Sequence, residues 1–301
     1  GPADASKLNA GWKDFEDGSL TGGGFSHAFD GAFAANWRLV TGGRSGSSYF
    51  GSMSYVVGER GALEFTQNNT SGEWYISFWF MMPPNCQSGK FFRIYGSSPA
   101  ENIYLSSGCE NYQIRGYSEC TSCGTITTQW GSPNSFQANT WHRVEIWIDE
   151  NPSTFTVWMD GKQQWTKSNW VYNPFRGNGH TIDIGNMIDS ASRGCGAAGS
   201  YSYDDIYIDY TRARVEIGNA STWTACTRRE VQLPKTWFDG SIVVNLNTGS
   251  FTNGQIAYLY VVNADGTVNA NGYPLTIGDG APAIDTTPPA NPTGIYINVI
   301  P

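Results

Sequence analysis

The feature that most constrains this chain is a period of two. Runs such as Trp74-Tyr-Ile-Ser-Phe-Trp-Phe-Met81, Phe91-Phe-Arg-Ile-Tyr95, Asn102-Ile-Tyr-Leu-Ser106 and Thr181-Ile-Asp-Ile184 are short and dense in aromatic and β-branched residues. Most alternate between apolar and polar positions and stop at Gly, Pro, Asn or Ser. Successive side chains on a strand point to opposite faces, so this alternation predicts antiparallel strands with one buried face. Helical spacing is nearly absent. Asp160-Gly161, directly after Phe155-Thr-Val-Trp-Met159, is a hairpin signal. The expected class is all-β.

Composition narrows the function classes. Charged residues are 15% and aromatic residues 14%, against about 25% charged in an average soluble domain. The formal net charge is −8, with 18 Lys and Arg. That balance disfavours nucleic acid and anionic membrane as partners. The most apolar run, Phe78-Trp-Phe-Met-Met82, stops at Pro83-Pro84, well short of the ~20 residues of a membrane helix. Membrane insertion is therefore not expected. Six cysteines in a Gly-rich chain point to an oxidising, extracellular setting and to three disulfides, whose pairing the spacing leaves open, with a zinc site of Cys120, Cys123, Cys86 and Cys109 as the alternative. The Cys120-Thr-Ser-Cys123 pair lacks the following His of a haem site and the βαβ setting of a redox motif.

Composition shifts near Gly218. Residues 1–217 carry the aromatic-rich strands. Residues 218–280 read as a compact set of shorter strands, Glu230–Leu233, Ser241–Leu246, Ile256–Val262 and Tyr273–Ile277, with a turn at Asn263-Ala-Asp-Gly266. Residues 281–301 form a Pro-rich linker or the start of a further module, with Ile295–Ile300 as its first strand.

The opening Trp12-Lys-Asp-Phe-Glu-Asp-Gly18, the block Trp141-His-Arg-Val-Glu-Ile-Trp-Ile-Asp149 with Phe155-Thr-Val-Trp-Met-Asp-Gly161, and the closing Tyr203-Asp-Asp-Ile-Tyr-Ile-Asp209 resemble concanavalin A-like jelly rolls. That superfamily holds lectin-like modules, laminin-G-like domains, glycanases and heparinase-like lyases. Glu230-Val-Gln-Leu-Pro-Lys-Thr-Trp-Phe-Asp-Gly-Ser-Ile-Val-Val244 and Gly266-Thr-Val-Asn-Ala-Asn-Gly272 resemble TIG-type immunoglobulin-like domains. Asp285-Thr-Thr-Pro-Pro is similar to linkers before fibronectin type III repeats. The resemblance implies a two-sheet antiparallel jelly-roll sandwich over 1–217, a small immunoglobulin-like β-sandwich over 218–280, and a modular secreted or cell-surface protein. It also implies a structural Ca²⁺ ion tying the opening strand to the closing strand, with Glu16, Asp17, Asp204 and Asp205 as hard oxygen ligands.

Enzyme motifs of that superfamily are incomplete. The laminarinase-type Glu-x-Asp-x-x-Glu is missing, and the nearest run is Glu145-Ile-Trp-Ile-Asp149-Glu150. Glu145 and Asp149 lie about 13 Å apart along a strand at ~3.3 Å per residue, whereas retaining hydrolysis needs about 5–5.5 Å. An alginate-lyase-like Gln-Ile-His is replaced by Gln113-Ile114-Arg115. Whether the chain is an enzyme stays open.

The most suggestive constellation is polar. Alternation places Arg93 and Tyr95 on one face of their strand, Asn102 and Tyr104 on one face of the next, and Gln113, Arg115 and Tyr117 on one face of a third. If these strands are neighbours, they line one sheet surface suited to sugars: aromatic faces stack on C–H groups, while amides and guanidinium groups bond hydroxyls or carboxylates. The bland alternative is the ordinary polar outside of a sandwich. Three readings follow: a carbohydrate-binding module for a polysaccharide or surface glycan, a polysaccharide lyase acting on uronate glycans, and a structural or adhesive surface protein. In the lyase, Gln113 with Arg115 or Arg93 neutralises the carboxylate, and Tyr104, Tyr117 or Tyr95 moves the proton. Trp158, Trp165 and Trp170 offer either a stacking platform or packing, and His142 is expected to point into the core.

Overall fold

The computed structural model describes residues 11–28, 36–44, 46–54, 60–67, 69, 71–83, 90–95, 101–108, 112–120, 125–150, 153–168, 180–187, 200–238, 240–278 and 296–300. The alternating segments become strands: β1 (Gly11–Lys13), β2 (Ser26–Ala28), β3 (Trp37–Thr41), β4 (Tyr49–Ser54), β5 (Arg60–Gln67), β6 (Glu73–Met81), β7 (Lys90–Tyr95) and β8 (Glu101–Gly108). They continue with β9 (Gln113–Cys120), β10 (Thr125–Trp130), β11 (Trp141–Asp149), β12 (Thr154–Met159), β13 (Lys162–Lys167), β14 (His180–Met187) and β15 (Ser200–Asp209). An 8-stranded sheet runs β13-β12-β11-β6-β15-β4-β3, with β1 paired to β15. A 7-stranded sheet runs β10-β9-β8-β7-β14-β5-β2. The pairings described in both sheets are antiparallel, and the chain crosses between them repeatedly, as a two-sheet sandwich requires.

Aromatic residues fill the space between the sheets. Phe78 and Phe80 of β6, Phe91 and Phe92 of β7, and Tyr201 and Tyr203 of β15 are all buried. Phe80 stacks on Phe91 with centroids 4.6 Å apart. Each such pair contributes about 0.5–1.5 kcal/mol beyond its buried area. Consecutive Phe91 and Phe92 both reach this core because the β7–β8 register slips between Lys90 and Phe92. That slip also returns Lys90 to the face of Arg93, opposite Ser106.

The Asp160-Gly161 hairpin forms as expected, with both residues at positive φ (50° and 72°). His142 is buried but bonded: its Nε2 accepts the Gln137 N–H at 2.9 Å, so its Nδ1–H donates to Asp160 at 2.7 Å. Trp165 is packing, not platform. It is buried, and a Cβ on Gly116 would stand 2.6 Å from its ring, so only glycine lets β9 pass beneath. Trp158 is partly buried and Trp170 lies outside the described residues.

The chain divides into two compact units, one of Gly11–Gly43 and Ser48–Ile208, the other of Arg44–Ser47 and the chain from Asp209 onward. The division thus precedes the boundary expected after 217. The reason is pairing. β16 (Arg214–Gly218) bonds to β17 (Arg229–Phe238) and to β19 (Ile256–Val262). With β18 (Ser241–Asn245), β20 (Tyr273–Thr276) and β21 (Tyr296–Ile300), these form the order β20-β19-β16-β17-β18-β21. β17 pairs with β16 in its first half and with β18 in its second, where the register slips between Pro234 and Thr236. Ala213, Val215, Trp237, Ile242, Val244 and Leu259 form its main apolar cluster. Tyr296–Ile300 pairs in parallel with β18. The Pro-rich stretch before it lies outside the described residues.

Cys226 is a buried free thiol, with Sγ 3.5 Å from the Ala220 carbonyl oxygen and 3.7 Å from the Tyr260 hydroxyl. The expectation of three disulfides therefore fails at this residue. Cys120 is placed on β9, and the remaining cysteines lie outside the described residues. Among the described residues no helix is long and apolar enough to cross a membrane.

Candidate functional site

The strands that carry the polar constellation are neighbours. β7, β8 and β9 pair so that Arg93 stands opposite Tyr104, and Tyr104 opposite Tyr117. Tyr95 stands opposite Asn102, and Gln113 opposite Gly108. The row through Arg93 extends both ways: to Thr128 of β10, and to Asp183 of β14 and Glu64 of β5. A parallel row runs Lys90, Ser106, Arg115 and Trp130. Directly opposed residues share a face, at a strand spacing of about 4.8 Å. Asn102, Tyr104 and Ser106 are placed by this backbone register.

The surface is less open than alternation suggests. Arg93, Gln113 and Tyr117 are buried, while Tyr95 and Arg115 are partly buried. Two guanidinium groups lie over aromatic rings. Arg93 sits 4.6 Å from the Tyr95 ring centroid and Arg115 sits 4.0 Å from that of Trp130. Trp130 is 47% exposed, which makes it the open aromatic face of the row. Such stacking fixes the guanidinium plane while leaving its donors for another group.

Charge is divided across the sheet. Glu64 and Asp183 stand at the β5–β14 side, and Lys90, Arg93 and Arg115 at the β7–β9 side. Asp183 is 0% exposed, and neither carboxyl oxygen has a hydrogen-bond partner. Burial pushes its pKa up to about 7, Arg93 pulls it back, and Glu64 adds to the rise. Burial, then the fields of Asp183 and Glu64, also push the Tyr95 phenol above its ordinary value. Sequence reading missed this acid end. The signal was present as a carboxylate at the centre of two apolar strands, Leu63-Glu-Phe65 and Ile182-Asp-Ile184. Trp130 was missed as well, although Thr125-Ile-Thr-Thr-Gln-Trp130 ends at Gly131 like the other strands.

Three of the four acids expected to hold calcium, Glu16, Asp17 and Asp204, make side-chain contacts within the protein. Glu16 Oε1 accepts the N–H groups of Ser48 and Tyr49 at 2.8 and 3.0 Å. Asp17 takes the buried Lys13 ammonium at 2.6 Å, and that hydrogen bond holds its carboxyl below its ordinary pKa. Asp204 Oδ1 accepts the Asp205 N–H at 2.9 Å, where Asp205 turns into the left-handed region (φ 46°). Among the described residues no three His, Cys, Asp or Glu side chains converge to hold a metal ion. Glu145 is also committed. It accepts the Tyr75 hydroxyl at 2.8 Å, and the Arg143 guanidinium lies 3.5 Å away.

No protein-family model matches the chain, and no curated protein matches it. Solved structures similar to it include the binding domain of Paraclostridial Mosquitocidal Protein 1, at 12% identity and TM-score 0.49, covering 86% of this chain and 76% of that one. Another is the binding domain of botulinum neurotoxin serotype C1, at 10% identity and TM-score 0.48, covering 88% and 74%. A third is domain 4 of AbnA, an extracellular arabinanase from Geobacillus stearothermophilus, in complex with arabinotriose, at 12% and 0.45, covering 66% and 94%. Likeness at this level names no family for this chain and carries no argument about a ligand.

Proposed function

We propose that the sandwich of β1–β15 is a carbohydrate-binding module of an extracellular, modular protein, and that it takes a polysaccharide or surface glycan on the outer face of its 7-stranded sheet. The observation that carries this is the register. It gathers Arg93, Tyr95, Asn102, Tyr104, Gln113, Arg115 and Tyr117 from three adjacent strands onto one face and adds an exposed Trp130 beside Arg115. Stacking rings and planar donors on a rigid sheet are what a sugar ring with hydroxyls on its rim requires. The resemblance to concanavalin A-like jelly rolls supports the same reading, as the resemblance to TIG-type domains supports a surface setting. A calcium ion near the opening strand belongs to this proposal as a structural element.

One observation favours the lyase as a second reading. A buried acid that titrates near neutrality, beside Arg93 and near Tyr95, is suited to moving a proton at a uronate. A glycan array with the whole chain, followed by ultraviolet monitoring for unsaturated product, separates the two. Retention without product is the expected result. Product formation favours the lyase, and failure to retain any glycan overturns both in favour of an adhesive scaffold.

A further inference from the structure

We infer that Arg115 and Trp130 form an anion-recognising subsite that selects acidic sugars, taking a carboxylate or sulfate on the guanidinium while the sugar ring lies on the indole. This deepens the reading above and rests on it. Arg115 and Trp130 face each other across β9 and β10. The guanidinium carbon is 4.0 Å from the indole centroid, so its plane is set by the ring. Its Nε is buried and has no hydrogen-bond partner. No ion pair ties Arg115 to a carboxylate among the described residues. A buried donor left unpaired is costly, and the side chain as a whole is only partly buried, so its other donors remain open to a ligand acceptor.

The surroundings favour an anion. Lys90 lies in the same cross-strand row, with Ser106 between. Of the acids that the register puts on this face, Glu119 stands four residues from Arg115 along β9, about 13 Å at ~3.3 Å each, and Asp183 and Glu64 stand at the other side. β14 is three strand steps from β9, or about 14 Å at ~4.8 Å each. That exceeds the screening length of about 8–10 Å in physiological salt. The pair also differs from the other stacked guanidinium groups with an unbonded Nε among the described residues: Arg93, 4.6 Å over Tyr95, stands opposite the Asp183 carboxyl. Arg228 lies 4.3 Å over Phe251, but that ring is buried and offers no face to a sugar.

Matched polymers test this with the full chain. Binding to polygalacturonate is compared with carboxyl-reduced polygalacturonate, and binding to dextran sulfate with dextran. The expected result is retention of at least one acidic polymer at least tenfold tighter than its neutral partner, weakening as salt rises. The two acidic arms distinguish carboxylate from sulfate. Arg115→Ala is expected to abolish the preference for acid, and Arg115→Lys to keep the charge but lose most of the affinity, because it loses the planar fork. Trp130→Ala is expected to weaken binding tenfold or more, with circular dichroism unchanged. Equal binding of acidic and neutral polymers, or an Arg115→Ala protein that still prefers the acid, overturns the subsite while leaving glycan binding intact. Binding of none of the polymers overturns the subsite, and an empty glycan array overturns the underlying reading too.

Discussion

Two regions of the molecule use arginine in opposite ways. On β16 and β17, Arg214 and Arg229 each direct Nε at one buried carboxylate, Glu216, at 2.5 and 3.1 Å. All three residues are buried, and Arg229 also lies 3.9 Å over Trp223. On the sandwich, Arg115 has a ring beneath it and no ion pair among the described residues, and its Nε is unbonded. An arginine whose donors are spent on an internal carboxylate holds the fold, and one held flat with donors to spare is set to receive something else.

Breaking the closed arrangement gives the largest effect. Glu216→Ala takes a shared carboxylate away from two buried guanidinium groups, and urea unfolding is expected to show a loss of about 3–5 kcal/mol. The acid end of the sandwich face gives the converse. Asp183 titrates at about 7 in the folded protein, against about 3.9 in an unfolded chain. The folded state therefore holds a proton that the unfolded chain has lost between those values. Its stabilising contribution is complete below about pH 3.9 and is lost as pH rises through about 7. Asp183→Asn is expected to raise stability by on the order of 2–4 kcal/mol at pH 8, at about 1.4 kcal/mol per pK step, and to leave it nearly unchanged at pH 4. An equal gain at both pH values contradicts the titration.

Smaller effects sharpen the contrast. Asp160→Ala removes the acceptor of His142 Nδ1–H and of the Arg143 N–H at 2.9 Å. A decrease of about 1–3 kcal/mol in thermal or urea unfolding is expected, the range for leaving buried donors unpaired. Arg115→Ala is the smallest change to the fold: the unfolding free energy is expected to stay within about 0.5 kcal/mol. A large destabilisation would place Arg115 with Arg214 and Arg229 among the structural arginines.

Much of the sandwich was legible because its determinants are local. Period-two alternation in Trp74–Met81 and Trp141–Ile148 gave strands, and Asp160-Gly161 gave the hairpin. The shared face of Arg93, Tyr104 and Tyr117 followed from the same alternation once the strands proved adjacent. What escaped was non-local. Asp183 looks like any polar residue on an alternating strand until neighbours remove its water and leave it unbonded. Arg115 and Trp130 are fifteen positions apart in sequence and meet only through the β9–β10 register. Arg214–Gly218 carries the same apolar alternation as the sandwich strands, and only its pairing with β17 and β19 joins it to the later strands. Cys226 follows the same logic, since a cysteine count cannot reveal a thiol buried against the Tyr260 hydroxyl.

The central claim is tested most directly by observing the arginine Nε–H groups by nuclear magnetic resonance while polygalacturonate is added to the whole chain. The account predicts that the Arg115 resonance shifts and exchanges more slowly with water, while those of Arg214 and Arg229, already held by Glu216, stay where they are. An Arg115 signal unmoved at saturating polymer, or movement confined to Arg214 and Arg229, contradicts it.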